Sequence, residues 1–235
     1  MPNAVLSARR EAGGGLILVG IDVDAALARG YGAPGQYIEL RTARGNGFFV
    51  LAGALGETTW ELLVRNAGDA ADVLVNAPLG TDLDVTPPLG DGFPSERAAG
   101  RQLVVAVVGS ALAVARPLVP RRLKEGEAGR THVYVGGRSA ADVPLAEEVE
   151  DWAAAGVEVV LCLSRSELEH DRGRLPRARR ETGYVQDVVA RDLAGGRLSG
   201  ALVFAAGPAG MLTAMRDLPG SRQSDELVLE VVTNV

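Results

Sequence analysis

The sequence predicts two unlike parts, a small antiparallel β-barrel over residues 1–97 and a doubly wound parallel α/β sheet over residues 98–235. Three observations carry this expectation. Up to about residue 95 the apolar runs are short and punctuated by Gly, Asn, Asp or Pro, as in a barrel of brief strands. Beyond the polar stretch "FPSERAAGRQ", continuous apolar strands alternate with helical segments of about 10–15 residues, the grammar of right-handed crossovers. Finally, 47% of the residues are hydrophobic but only 4% aromatic, which suits Val-rich strands packed under Ala-rich helices.

The barrel strands read as "GLILVGIDV", "GQYIELRTA", "NGFFVLAGAL", "TTWELLVRNA" and "TDLDVTPPLG", with a helix over 70–75 capped by Asp69. In the second part "LVVAVVG" is a strand buried on both faces, followed by the helical "SALAVARPLVPRRLKEG". Then come the strand "THVYVGG", the helix "ADVPLAEEVEDWAAAG" and the strand "VEVVLCLS". The helix "GYVQDVVARDLAGG", the strand "ALVFAAG", the helix "PAGMLTAMRDL" and a last strand "ELVLEVVTNV" complete it.

Composition excludes several classes of function. A net charge of −6 gives no attraction to nucleic acid or to an anionic membrane. Cys162 is the single cysteine and belongs to an apolar strand, so it reads as core; no disulfide, zinc or iron–sulfur cluster can form on cysteines. His132 and His170 are the only histidines, too few for a histidine-rich metal centre, and no metal site is expected. "MPNAVLSARREAGGG" lacks a signal-peptide core, and no apolar run is long enough to span a bilayer, so a cytoplasmic protein without membrane insertion is expected. There is no Gly-x-Ser-x-Gly elbow and no P-loop. Glu147, Glu148, Glu150 and Asp151 cluster on one helix and read as a solvated face, so no catalytic residue is assigned.

The stretches "PGQYIEL", "PPLGDGFP", "LVVAVVGSALAVARPL", "VYVGGRSAADVPLAEEVEDW", "VEVVLCLSR", "GYVQDVV" and "VFAAGPAGML" occur in an order that resembles the ferredoxin–NADP reductase superfamily. The nearest resemblance is to reductase subunits such as the electron-transfer subunit of dihydroorotate dehydrogenase. It covers nearly the whole chain and implies FAD in the barrel, NADP or NAD on the parallel sheet, and a redox partner protein or subunit. In that family the second barrel strand carries Arg-x-Tyr-Ser, which grips the flavin and its diphosphate. Aligned on Leu51-Ala52, those places hold Gly47, Phe49 and Val50; the later Gly-x-x-Ser/Thr reads Gly68-Asp69-Ala70-Ala71. Phe49, Val50 and Gly68 are therefore the flavin-site positions. Arg41, Arg44 and Arg65 are candidate replacement cations, although solvated surface arginines are the norm.

The resemblance places the nucleotide pyrophosphate at Gly109-Ser110, where the family's Gly-rich loop is reduced to one glycine and a hydroxyl. An ordinary strand-to-helix turn capped by Ser110 fits those residues equally well. Ser164-Arg165 matches the pair that holds the NADP 2′-phosphate, Tyr184 and Gln186 match the Tyr-x-Gln that flanks adenine, and Arg177, Arg179 and Arg180 add positive potential. Ala206-Gly207-Pro208 keeps the turn of the family's Cys-Gly-Pro-Pro without its thiol, and the chain ends without the cysteine tail of the dihydroorotate dehydrogenase subunit. Two functions remain open on these residues. One is an oxidoreductase or electron-transfer subunit with an unorthodox flavin site; the other is a cofactor-poor relative acting as an interaction or assembly subunit of a larger redox complex.

Overall fold

A computed structural model describes residues 3–165, 175–198 and 200–218, and the backbone of 229–232. The first part opens with β1 (Ala4–Gly13) and β2 (Leu16–Val23), an antiparallel hairpin turned by Gly13, Gly14 and Gly15, all at positive φ. β1 is absent from the strands read off the sequence. Ala4, Leu6 and Ala12 are buried, Val5, Ala8, Arg10 and Glu11 are exposed, and two register irregularities interrupt the strand, so it lacks a sustained apolar alternation. A short α1 (Ala25–Ala28) follows, capped by Asp24, whose carboxylate accepts from the Ala26 and Leu27 amides at 2.8 Å each.

β3 (Tyr37–Thr42), β4 (Gly45–Val50), β5 (Thr59–Arg65), α2 (Asp69–Asn76) and β6 (Asp82–Val85) complete this part. The strands form one antiparallel sheet in the order β4-β3-β6-β1-β2-β5. Its two ends meet where Leu51 bridges Leu62 and the Ala52 amide donates to the Glu61 carbonyl at 2.7 Å. The rolled sheet encloses Leu6, Val19, Ile21, Ile38, Leu40, Trp60 and Leu62, and α2 covers it with Ala70, Ala71 and Leu74. The cap of α2 is Gly68, not Asp69, which stands inside the first turn and makes no side-chain cap bond. At the other end Arg9 donates to the Leu74 and Ala77 carbonyls, which satisfies the exposed end of the helix.

The second part holds β7 (Leu103–Val108), a 3-10 turn (Gly109–Val114), α3 (Ala115–Lys124), β8 (Thr131–Gly137), α4 (Ala146–Ala154), β9 (Glu158–Leu163) and β10 (Arg179–Thr182). α5 (Val185–Ala194), β11 (Leu202–Ala206), α6 (Ala209–Arg216) and β12 (Leu229–Val232) follow. All pairings are parallel, in the order β10-β9-β8-β7-β11-β12. Alternation in β7 sends Leu103, Val105 and Val107 to one core and Val104 and Ala106 to another. The chain winds outward from β7 through β10 and returns on the other side of β7, so a crevice opens where β7 and β11 end.

The two parts share one apolar core: Leu16, Leu18, Val50 and Leu63 pack with residues of β7, β8, β9 and α3. Phe93 stacks on Phe204 with ring centroids 4.6 Å apart. A buried ionic knot adds to this junction. Arg116, 12% exposed, meets Glu148 Oε2 and Glu61 Oε2 at 2.8 Å each, and its Nη1 also donates to the Ala52 carbonyl. Burial opposes its charge, yet the carboxylates of Glu148 and Glu61 more than offset this and hold its pKa above the ordinary arginine value.

Candidate dinucleotide-binding site

Glycines at the carboxyl ends of the parallel strands leave room that side chains would fill. A Cβ on Gly136 would lie 2.6 Å from Val185 Cγ2 and 2.7 Å from Val108 Cγ2, so only glycine lets α5 settle against the sheet edge here. Gly109 turns the chain out of β7 at φ +59°. The result is a cavity of about 630 Å³, inside the range of about 300–1,000 Å³ usual for small-molecule sites. It is walled by Val108 and Gly109 at the end of β7, Gly136, Gly137 and Arg138 at the end of β8, and Cys162 and Ser164 at the end of β9. Tyr184, Val185 and Gln186 open α5 on one side, Pro208 and Met211 belong to the α6 side, and Gly14, Arg65 and Asp142 close the remaining edge. Gly14 and Arg65 come from the first part of the chain, so the site is bipartite.

Positive charge reaches this cavity in two ways. Arg65, at the end of β5, is exposed and has no hydrogen bond or ion pair among the described residues. Its Nη1 and Nη2 lie 3.5 and 3.8 Å from the points that Cβ atoms on Gly15 and Gly109 would occupy. Arg138 also reaches the wall, but it pairs with Asp142 at 3.1 Å. Asp142 also accepts from the Ser139 amide at 2.9 Å and the Ser139 hydroxyl at 3.0 Å. Burial works against the charged carboxylate, but the bonds from Ser139 and Arg138 win and hold its pKa below the usual value. The first amides of α5 are capped by no side chain, but Asp187 in its first turn offsets the field they would offer an anion. Cys162 forms part of the floor as a buried thiol that burial pushes up to about 12.

Five of the expected cofactor-binding residues line this one cavity, Gly109, Ser164, Tyr184, Gln186 and Pro208, together with Arg65, a candidate replacement cation for the flavin diphosphate. Gly207 adjoins it, next to Met211 Sδ and Val108. Ser110 follows Gly109 in the 3-10 turn, whose cap is Val108, and makes no side-chain cap bond. Arg165 neighbours Ser164, and its amide donates to the Arg138 carbonyl at 2.9 Å. Arg177 and Arg179 are committed elsewhere. Arg177 pairs with Glu150 at 2.7 Å, and Arg179 joins Glu158, Glu181 and Asp192. Arg180 stands beside Arg179 in β10. The acidic face of α4 is correspondingly less solvated than its composition suggests, because Glu148 and Glu150 are ion-paired. His132 is buried with Nδ1 3.0 Å from Glu158 Oε2; His170 lies outside the described residues.

The flavin positions tell a different story. A Cβ on Gly47 would lie 2.7 Å from Ala70 Cβ and 2.9 Å from the Phe49 ring. No side chain can leave the backbone there while α2 keeps its place. Phe49 packs against the barrel core, whereas Phe48 is 46% exposed and meets Tyr37 edge-on. Val50, 5% exposed, belongs to the core shared by the two parts. Gly68 begins α2, whose first turn carries Asp69 and Asp72, two carboxylates that oppose an anion at that end. Arg41 is paired with Glu39 at 3.2 Å, Arg44 sits in the β3–β4 turn, and Arg65 lies at the other cavity.

Gly14, Gly136, Gly137, Arg138 and Asp142 line the cavity without having been singled out. The "VGGRS" that ends β8 offered a signal for three of them: consecutive glycines past a parallel strand free space at the edge where ligands bind. Gly14 gives no such local signal.

Residues 107–217 match the family of oxidoreductase NAD-binding domains. A curated relative, fruit protein pKIWI502 of Actinidia deliciosa, is 24% identical over 206 residues, which cover 80% of this chain and 62% of that protein. The chain thus spans about three fifths of that relative's length. Among solved structures, the flavohem-like FAD/NAD-binding domain of nitric oxide dioxygenase from Vibrio cholerae O1 biovar El Tor is similar with a TM-score of 0.75 at 17% identity, covering 99% of this chain and 98% of that one. A ferredoxin–NADP+ reductase from Neisseria gonorrhoeae with bound FAD and NADP also gives 0.75, at 12% identity and 97% coverage of each chain. The cytochrome P450 reductase GcoB from Amycolatopsis gives 0.75 at 22% identity, covering 99% of this chain and 69% of that one. The chain therefore has the two-domain fold seen in reductases of the ferredoxin–NADP reductase type, and its residues 107–217 match the model of the oxidoreductase NAD-binding domain.

Proposed function

We propose that this chain is a nicotinamide-nucleotide-dependent oxidoreductase module, divided near residue 97, that serves an electron-transfer system. The observation that carries this reading is the bipartite cavity, in which an unpaired arginine from the first part faces the Gly109 turn of the second. The pyrophosphate would lie over Gly109 and Ser110, against the Arg65 guanidinium. The adenosine end would extend toward Ser164, Arg165, Tyr184 and Gln186, with Ser164 and Arg165 meeting a 2′-phosphate. The nicotinamide would reach the Gly207–Pro208 turn. Such a site contributes position and electrostatics, while the nucleotide supplies the hydride. Reductase is the name several structural relatives carry, which supports a redox partner protein or subunit as the acceptor.

The test is a fluorescence titration of the purified chain with NADPH and NADH. Binding of either at micromolar to low-millimolar concentration is expected, with NADPH the tighter if Ser164 and Arg165 hold the 2′-phosphate. Equal affinities would remove that assignment, and absence of binding by both would remove the reading. A second reading, an interaction or assembly subunit of a redox complex, is favoured by the filled space at Gly47. It predicts that neither nucleotide binds.

A further inference from the structure

A flavin dinucleotide is the group this fold implies for the barrel, and the packing around β4 and α2 disagrees with it. We infer that the barrel does not recognise the diphosphate and adenosine of a flavin dinucleotide, so that FAD, FMN and riboflavin are equivalent to it.

Three features of this chain lead there. First, the backbone of Gly47 is shut in: a Cβ would meet Ala70 of α2 at 2.7 Å and the Phe49 ring at 2.9 and 3.0 Å. The space in front of this part of β4 is filled by the protein itself. Secondly, the position where the resemblance implies a hydroxyl on β4 is held by Val50, which is 5% exposed and belongs to the core between the two parts. Thirdly, α2 presents its amino end with Asp69 and Asp72 in the first turn, and two carboxylates offset the roughly half positive charge of a helix terminus.

The neighbouring cations do not compensate. Arg9 is bound to the opposite end of α2 through the Leu74 and Ala77 carbonyls, and Arg41 is paired with Glu39. Arg65 lines the dinucleotide cavity instead. Arg44, in the β3–β4 turn, is the remaining arginine on this strand pair and enters the test directly.

The inference concerns the barrel and goes beyond the nucleotide reading, which the NADPH titration examines separately. The full chain is titrated with FAD, FMN and riboflavin, followed by quenching of flavin fluorescence and by absorbance near 450 nm after gel filtration. Dissociation constants for the three that agree within about fivefold, or failure of all three to bind, are the expected results. FAD or FMN bound about fivefold or more tighter than riboflavin would overturn the inference. Loss of that advantage in Arg44→Gln would then identify the phosphate ligand.

Discussion

Arg65→Gln isolates the one cation that the first part contributes to the dinucleotide cavity. The side chain is exposed and has no partner among the described residues, so its loss should change stability by no more than about 0.5 kcal/mol. Its effect on binding should be much larger. Its Nη1 stands 3.5 Å from where a Cβ on Gly15 would lie and its Nη2 3.8 Å from where a Cβ on Gly109 would lie, so a phosphate on the Gly109 turn would be within its reach. A charge-assisted hydrogen bond of this kind contributes about 1.5–3 kcal/mol. At 1.4 kcal/mol per decade, NADPH affinity should fall about tenfold to a hundredfold. Arg65→Lys keeps the charge but loses the planar fork and should fall in between. Affinity of the native chain should also weaken with added salt, and the Gln variant should respond less. Paired fluorescence titrations and thermal melts measure both effects. If Arg65→Gln binds NADPH within about twofold of the native chain, the cation does not touch the phosphates and the bipartite site fails.

Arg116→Met should remove the ionic knot at the junction. Because Glu61 and Glu148 keep about 30% exposure, the cost should be about 2–3 kcal/mol, below that of a fully buried pair. At about 2–4 °C per kcal/mol the melting temperature should drop by roughly 4–12 °C; an unchanged melt would show that the knot contributes little. Asp142 is depressed in the folded state, so its stabilisation is present above the ordinary carboxylate range and lost as pH falls through the folded value. Asp142→Ala should therefore cost about 1 kcal/mol in urea unfolding at pH 7. The native and variant curves should converge in acid; a constant gap down to about pH 2 would contradict this. Gly47→Ala should destabilise by about 1–3 kcal/mol through overpacking, and Ala70→Gly in the same chain should restore part of it. Simple additivity of the two would show that these residues do not compete for space.

Much of the architecture was legible because burial leaves different marks on different strands. β7 and β11 are covered on both faces and read as unbroken apolar runs, and β8 and β9 read almost so after Thr131-His132 and Glu158. β1 escaped because few of its residues are apolar beyond Leu6 and register irregularities break its alternation. β10, "RRET", escaped because it is an edge strand whose side chains build an ion network with Glu158 and Asp192. The cavity was partly legible for a similar reason. Gly109, Ser164 and Gln186 sit just past strand ends or at a helix start, where local sequence fixes the position relative to the sheet. Arg65 was readable only as one surface arginine among several, because what places it is the packing of Leu16, Leu18 and Leu63 against the second sheet. No local pattern encodes that contact.

Small side chains have opposite consequences in the two halves of the molecule. At the sheet edge, Gly109, Gly136 and Gly137 keep backbone close to an open volume, and the nearest unpaired cation projects into it. In the barrel, Gly47 and Ala70 let α2 descend onto β4 until no volume remains, and the Phe49 ring completes the contact. The barrel residues form a mutually dependent unit. An arginine at 47 needs Ala70 and Phe49 to withdraw, a hydroxyl at 50 unseats a side chain from the core between the parts, and a phosphate beside α2 faces Asp69 and Asp72. Each single reversal is opposed by the packing that the other residues keep. The packing around Gly47 is therefore self-consistent as it stands, and through Val50, Leu18 and Leu63 the first sheet holds up one wall of the core on which the open cavity rests.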